Sequence, residues 1–155
     1  MAASASSPAR SAILLGGLLG GAGDFFFAFI FYGWKIRVFQ SVAAGLIGRE
    51  AAFGGDIPTF LLGVVLHFLI AFIWAALFWA LSRKLPGLVR HAIPAGLAYG
   101  LVIFYGMNSV VLPLSALHTK AWPPAWAPWP IAGHLFLVGL PIALAARKFS
   151  RPAAA

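Results

Sequence analysis

Four stretches of the sequence carry almost no charged residue, and all but the last of them reach the length that a helix needs to cross a lipid bilayer, about 20 residues. They run from Ala12 to Gly33, from Pro58 to Leu81, from Ala92 to Leu112 and from Ile131 to Ala146. Hydrophobic residues make up 62% of the chain, far more than in a typical water-soluble domain. In lipid, backbone polar groups must be hydrogen-bonded internally, so such stretches form helices. We therefore predict an all-α integral membrane four-helix bundle and a single membrane domain over residues 1–155.

The basic residues are distributed unequally between the two ends of these helices. Seven of the eleven lie on the side of the chain termini, and they are Arg10, Arg83, Lys84, Arg90, Arg147, Lys148 and Arg151. The opposite side carries Lys35, Arg37, Arg49 and Lys120. The positive-inside rule then predicts that both termini are cytoplasmic. The net charge of +8 is explained by this topology signal, and we expect no nucleic-acid partner.

A cleaved signal peptide is the competing interpretation of the first stretch, because Arg10 is followed by apolar and small residues. The apolar run continues to Phe31, beyond the usual length of a signal-peptide core, and this favours a retained helix. The short tails Met1 to Ala9 and Pro152 to Ala155 are expected to stay disordered.

The connection from Trp34 to Ile57 has a helical pattern of its own. From about residue 38 to 53, one face of the wheel is apolar and the opposite face is polar or small. The apolar face carries Phe39, Val42, Ala43, Leu46 and Phe53, and the opposite face carries Gln40, Ser41, Ala44 and Gly48. The pattern predicts an amphipathic interfacial helix between spans 1 and 2. Glu50 falls on the apolar face, so it either points into the bundle or pairs locally with a basic neighbour. Asp56, followed by Pro58, is predicted to be the N-cap of span 2.

The connection from His118 to Pro130 contains four prolines and three tryptophans. Proline disfavours a regular helix, and tryptophan favours the headgroup layer of a membrane. We expect an irregular extracytoplasmic loop that rests on the membrane surface.

Small residues at helical spacing indicate which helix faces pack closely. They are Gly16, Gly17, Gly20 and Gly21 in span 1, Gly63 in span 2, and Gly96 and Gly100 in span 3. Four helices enclose little volume, so transport would require a homo-oligomer, and the glycine stripe of span 1 is its expected interface. Pro141, inside span 4, predicts a kink or a locally opened backbone.

Asp24 is the most informative polar residue of the sequence. A carboxylate inside a membrane helix raises the free energy of insertion by a few kcal/mol unless it faces protein or has a partner. At a rise of about 1.5 Å per residue, Asp24 and His67 each lie roughly 13 Å from the outer ends of their helices. They are therefore level, and could share a proton in the bundle core. Asn108 and His134, at roughly 5 to 8 Å, would extend a polar path from the outer surface, with Glu50 above them. The alternative is a buried polar pair that only fixes helix register.

Other chemistry has little support in the sequence. There is no Cys, so thiol catalysis and thiolate metal sites are excluded. His67 and His134 as haem ligands would differ in depth by about 8 Å, and we expect no cofactor and no metal.

Four blocks of sequence are similar to recurring blocks of small bacterial four-span membrane proteins. They are residues 40–49, 66–68, 107–115 and 134–141. The second half of the chain, from His67 to the basic end, resembles more distantly the YagU-like inner-membrane proteins. Neither family has an established reaction, so the resemblance implies a bacterial inner-membrane location and no activity.

Three functions are compatible with these features. The first is a small transporter or proton- or ion-conducting protein whose relay uses Asp24 and His67. The second is a non-catalytic scaffold or accessory subunit that holds a membrane protein partner by its glycine faces and its Trp-rich loop. The third is an enzyme that modifies a lipid or quinone near the outer interface. Membrane lipids are the expected surroundings in each case.

Overall fold

The computed structural model describes residues 7–119 and 128–150, which form helices joined by short turns, without a strand among them. The helices are α1 (Pro8–Phe31), α2 (Arg37–Ile47), α3 (Arg49–Gly54), α4 (Asp56–Lys84), α5 (Gly87–Arg90), α6 (Ala92–Leu114) and α7 (Pro128–Ser150). Four of them, α1, α4, α6 and α7, are long and apolar enough to cross a membrane. The predicted all-helical class is confirmed.

The long helices extend beyond the apolar stretches that predicted them, because polar residues continue or cap a helix without being apolar. Ser7 accepts a hydrogen bond from the backbone N–H of Arg10, and Pro8 occupies the first turn of α1. At the other end of the chain, α7 begins at Pro128, inside the segment predicted as a loop. Proline is tolerated there because the first N–H groups of a helix have no intrahelical acceptor. The rest of the Trp-rich loop, residues 120–127, and the parts of the predicted tails before residue 7 and after residue 150 lie outside the described residues. The prediction of disorder is wrong for Ser7, Pro8 and Ala9, which cap or begin α1.

Helix α1 lies between α4 and α7, and its two rows of glycine make both contacts. A Cβ atom at Gly17 or Gly21 would meet the rings of Phe72 and Phe68 on α4. On the other row, Gly16 and Gly20 face α7 at Ile142 and Val138. These four glycines are buried within one chain. The glycine stripe that was expected to form a homo-oligomer interface is thus covered by α4 and α7 of the same chain.

Helix α6 packs on the other side of α7 through three glycines. A Cβ at Gly96 would meet Leu140 and Ala143, and one at Gly100 would overlap the backbone of His134. Gly139 of α7 faces the same two glycines in return. Helices α6 and α4 also meet, because the Tyr99 hydroxyl donates to the carbonyl of Trp74 at 2.8 Å. The order around the four long helices is thus α4, α1, α7, α6, with the ring closing between α6 and α4.

The predicted interfacial helix is present, but it is broken into α2 and α3 at Gly48. Gly48 has a φ of +82°, a backbone conformation that glycine adopts without strain. The break changes the direction of the chain. A helical wheel drawn through residues 38–53 as one helix therefore assigned the buried and exposed faces wrongly. The buried residues of α2 are Phe39, Gln40, Ala43 and Ala44, while Leu46 is 60% exposed.

Gln40 faces inward because its amide has partners there. Its Nε2 donates to the carbonyl of Asp56 at 3.0 Å and to Oγ1 of Thr59 at 3.2 Å. The Asp56 side chain makes no capping bond, and Gly55 is the N-cap of α4. The predicted capping role of Asp56 is therefore wrong. Asp56 has a φ of +45°, and in this conformation its backbone carbonyl accepts the hydrogen bond from Gln40.

Both long helices on one side of the molecule contain a π-helical segment. These segments are Met107–Val111 in α6 and His134–Gly139 in α7, and a proline follows each by two residues, Pro113 and Pro141. Proline lacks an N–H, and its ring clashes with the carbonyl four residues earlier, which a wider turn relieves. The opened backbone predicted from Pro141 is confirmed.

Candidate functional site

The structure brings Asp24 of α1 and His67 of α4 together. Nδ1 of His67 lies 3.9 Å from Oδ2 of Asp24, and the two side chains are only 13% and 22% exposed, respectively. This distance fits an ion pair or a bridge through one water, and it is too long for a direct hydrogen bond. The close approach of the helices at Gly21 makes the pair reachable, because Gly21 adds no side chain of its own between α1 and α4.

A second contact fixes the tautomer of His67. Its Nε2 lies 2.9 Å from the carbonyl oxygen of Gly21. A carbonyl only accepts hydrogen bonds, so Nε2 carries the proton that it donates. In the neutral ring, Nδ1 is then an acceptor that faces Asp24. One further proton, held on Nδ1 or on the carboxyl group, makes the pair neutral overall and removes the repulsion between two acceptors.

Aromatic rings surround the imidazole and fix its orientation. Phe39 of α2 and Phe68 of α4 meet it edge to face, with centroid distances of 5.3 Å and 5.4 Å. Phe25 of α1 stacks on Phe39 at 4.5 Å, which closes the cluster towards α2. Because Phe39 is 1% exposed, the helix α2 covers the pair on this side.

A cavity of about 170 Å³ adjoins the pair and is called here the Asp24–His67 cavity. Its polar lining residues include Asp24, His67 and His134, and its remaining wall comes from all four long helices and from Val42 of α2. A buried water occupies roughly 30 Å³ of liquid volume, so the cavity has room for several water molecules. His134 thus joins the pair at one cavity, as the predicted polar path requires.

His134 and Asn108 each use one polar group within their own helix. Nδ1 of His134 donates to the carbonyl of Pro130 at 2.8 Å, and Nδ2 of Asn108 donates to the carbonyl of Phe104 at 2.7 Å. The bond of His134 leaves its Nε2 as an acceptor in the neutral ring. Asn108 does not line the Asp24–His67 cavity, whereas its neighbour Met107 does. The structure therefore gives Asn108 a local role beside the π segment of α6.

Glu50 lies away from the pair, on the exposed surface of α3. It cannot extend the polar path, because the break at Gly48 turns α3 away from the direction that one continuous helix would take. Glu50 instead lines a separate cavity of about 960 Å³, called here the basic cavity. The lining residues of the basic cavity are Tyr32, Lys35, Arg37, Val38, Ser41, Arg49, Glu50 and Phe53.

On its other side, the Asp24–His67 cavity ends at a tightly packed apolar core. Phe78 of α4, Ile103 of α6 and Ile142 of α7 belong to this core, and each is at most 3% exposed. The core lies between the pair and the basic ends of the long helices. Access to the pair is therefore blocked from that side in this conformation.

Sequence reasoning missed three contributors to the site, which are the carbonyl of Gly21, the ring of Phe39 and the thioether of Met107. Met107 lines the cavity and accepts a hydrogen bond from Nε1 of Trp74 at 3.5 Å. The glycine three residues before Asp24 was a usable signal, since a glycine at a helix contact leaves its carbonyl accessible to the facing helix. The local sequence contained no signal for the contact of Phe39 with His67, because that contact depends on how α2 folds back onto α4.

Comparisons of the chain with protein-family models, with curated proteins and with solved structures found no match.

Proposed function

We propose that the protein is a multi-pass membrane protein in which the Asp24–His67 pair binds and releases a proton during proton-coupled transport of a small solute or during proton conduction. The observation that carries this proposal is the 3.9 Å approach of Asp24 to His67 beside a cavity large enough for water. Ionisable residues in apolar helices mark proton and ion pathways when they face protein and one another.

Insertion into a membrane is supported by where apolar and polar groups lie. Long runs of α4 point apolar side chains outward, for example Leu61, Val65 and Leu69, which are 54%, 64% and 51% exposed. The ionisable pair faces inward instead. This is the reverse of a water-soluble protein, and it is stable where the surroundings are lipid.

We place both termini in the cytoplasm of a bacterium, in the inner membrane. Helix α5 and the end of α7 lie together, because Arg90 and Arg147 line one small cavity with Pro86 and Val89. Arg10 lies in the first turn of α1, which packs against α4 and α7. The positive-inside rule puts this basic end in the cytoplasm. The resemblance to small bacterial four-span proteins supports the choice of membrane.

A proton site that is closed towards the basic helix ends suits a transporter better than an open channel. The cavity beside the pair has Val42 of α2 in its wall, while Phe78 and Ile103 pack between the pair and the basic helix ends. Transporters alternate between such one-sided conformations, and an open pore would connect both sides at once. The seven glycines named in the sequence would allow the helices to shift at close range.

The experiment that tests the proposal measures protonation and flux in the same preparations. Wild type, Asp24→Asn and the control Asp56→Asn are compared after each has been shown to elute as a single species. Asp56 is a suitable control because it is exposed and does not line the Asp24–His67 cavity. Asn also tolerates its left-handed backbone conformation.

Infrared difference spectra between acid and neutral pH should show a carboxyl band that Asp24→Asn removes and Asp56→Asn retains. In liposomes with an imposed proton gradient, the wild type and Asp56→Asn should move protons, and Asp24→Asn should not. An unchanged infrared band in Asp24→Asn would overturn proton binding at the pair. Equal flux through all three proteins would overturn its role in transport.

A further inference from the structure

We propose that the basic cavity and the apolar cleft beside it together bind one membrane lipid with an anionic phosphate headgroup. This site is separate from the proton pair and goes beyond the function proposed above. The apolar cleft has a volume of about 250 Å³ and lies between α2, α4 and α6. Its lining residues are Ser41, Val42, Gly45, Leu46, Leu66, Ile70, Met107, Val111, Leu112 and Ser115.

The basic cavity has the charge that an anion requires. It is lined by the cations Lys35, Arg37 and Arg49 and by one acid, Glu50. Within residues 7–119 and 128–150, no Lys or Arg nitrogen comes within 4.0 Å of a carboxylate oxygen, so these three cations are not neutralised by Glu50. Arg37 instead lies over the ring of Phe53, 5.7 Å from its centroid, which holds the guanidinium at the cavity wall.

The position of these cations in the chain also requires a reason. In the orientation proposed above, Lys35, Arg37 and Arg49 lie on the extracytoplasmic side, where the positive-inside rule disfavours them. Binding of an anion by these three cations would offset the disadvantage of their position. Arginine is suited to phosphate, because its planar fork donates two parallel hydrogen bonds to phosphate oxygens.

The apolar cleft makes a lipid the better occupant than a free phosphate ion. The two cavities adjoin at Ser41, which lines both of them. Apart from Ser41 and Ser115, the residues of the cleft are apolar or glycine, and Leu46 at its edge is 60% exposed. A headgroup among the cations would therefore have an apolar surface beside it for part of one acyl chain. Burial of each CH₂ group adds to the binding of the charged end.

The test measures lipid binding by native mass spectrometry of the protein released from a neutral detergent. The two probes are dioleoyl phosphatidylglycerol, which is anionic, and dioleoyl phosphatidylcholine, which has the same chains and no net charge. Inorganic phosphate is added in a third arm as a competitor without chains. The wild type should retain one phosphatidylglycerol and bind phosphatidylcholine more weakly.

Two sets of variants locate the lipid. The triple variant K35Q/R37Q/R49Q should lose on the order of 100-fold in affinity for phosphatidylglycerol, since each of the three surface cations contributes roughly a fivefold factor. The control R83Q/K84Q/R90Q removes the same charge from the opposite end, and it should bind as the wild type does. Gly45→Leu should fill the apolar cleft and weaken lipid binding, whereas Gly45→Ala should not, because a Cβ there meets Ser115 only at 3.5 Å.

The site is overturned if the triple variant, shown to be folded by monodisperse elution, binds phosphatidylglycerol as tightly as the wild type. It is equally overturned if the control triple variant loses the same affinity. If Gly45→Leu binds like Gly45→Ala, or if phosphate alone displaces the lipid at equal concentration, the acyl chain has no place in the cleft and the lipid assignment fails. None of these outcomes depends on proton flux, so they leave the proposed function to its own test.

Discussion

His67 donates from Nε2 to the backbone carbonyl of Gly21 at 2.9 Å, and this one contact decides what the opposite ring nitrogen can do. Nε2 carries its proton in this hydrogen bond, and Nδ1 faces Asp24. The proposed exchange of a proton at Nδ1 would therefore require no rotation of the ring. An Asn or Gln in place of His67 could still donate to the carbonyl, but it could not bind the proton. The site thus holds the ring in place and directs its second nitrogen towards the carboxyl group of Asp24.

The Asp24–His67 interaction is testable by a double-mutant cycle. We expect His67→Phe to lower the free energy of unfolding by about 1 to 3 kcal/mol, because it leaves the Asp24 carboxyl without its partner. The double variant Asp24→Asn with His67→Phe should regain part of that loss. Unfolding in mixed detergent, followed by Trp fluorescence, measures the coupling energy. Strictly additive effects of the two substitutions would contradict a direct interaction.

Gly63, the single glycine of α4, is predicted not to tolerate a methyl group. A Cβ atom there would overlap the backbone carbonyl of Phe39, a rigid group that cannot rotate away. We expect Gly63→Ala to destabilise the protein by about 1 to 3 kcal/mol and to displace α2 from His67. Gly54→Ala is the matched control, since a Cβ at Gly54 has no neighbour within 4 Å. Thermal unfolding of both variants provides the comparison, and equal midpoints would show that α2 does not pack on α4 as described.

Tyr99 should contribute to the contact between α6 and α4 through its hydroxyl group. Tyr99→Phe removes the bond to the Trp74 carbonyl and should cost about 0.5 to 1.5 kcal/mol. Tyr105→Phe makes the same chemical change at a residue that is 42% exposed on the same helix, and we expect it to be neutral. Chemical unfolding distinguishes the two variants. A larger loss in Tyr105→Phe than in Tyr99→Phe would be inconsistent with the α6–α4 contact.

The proposed orientation can be tested by cysteine labelling, because the chain has no native cysteine to give background. A maleimide that does not cross membranes should label Gly54→Cys in intact cells. It should label Gly87→Cys only after the cells are opened. Both glycines are exposed, and a Cβ at either has open space around it. The reverse labelling pattern would put the termini outside and would contradict the positive-inside assignment.

Much of the helical structure could be predicted from short-range features of the sequence. Apolar length predicted α1, α4, α6 and α7, and glycine spacing predicted the faces on which they meet. The rise per residue was enough to bring Asp24 and His67 to the same level, because both helices are regular between the pair and their outer ends. These features need no knowledge of distant contacts, which is why they could be read from the sequence.

The connection between the first two long helices was harder to predict, for a physical reason. Gln40 looked like a surface residue, and it is buried because Asp56 and Thr59, 16 and 19 residues away, accept its hydrogen bonds. Glu50 looked like an inward residue, and it is exposed because the positive φ of Gly48 ends α2 before α3 begins. A helical wheel assumes one continuous helix, so a single break invalidates every position after it.

Helix α2 has two different surroundings within its eleven residues. Phe39 lies against the imidazole of His67, while Arg37 and Ser41, on the adjoining face, line the basic cavity. Arg37 and Phe39 are two residues apart on this helix, so a displacement of α2 at Arg37 would also move Phe39. The composition of the surrounding leaflet would then set how tightly the imidazole is held, and membrane chemistry would act as an input to the proton site.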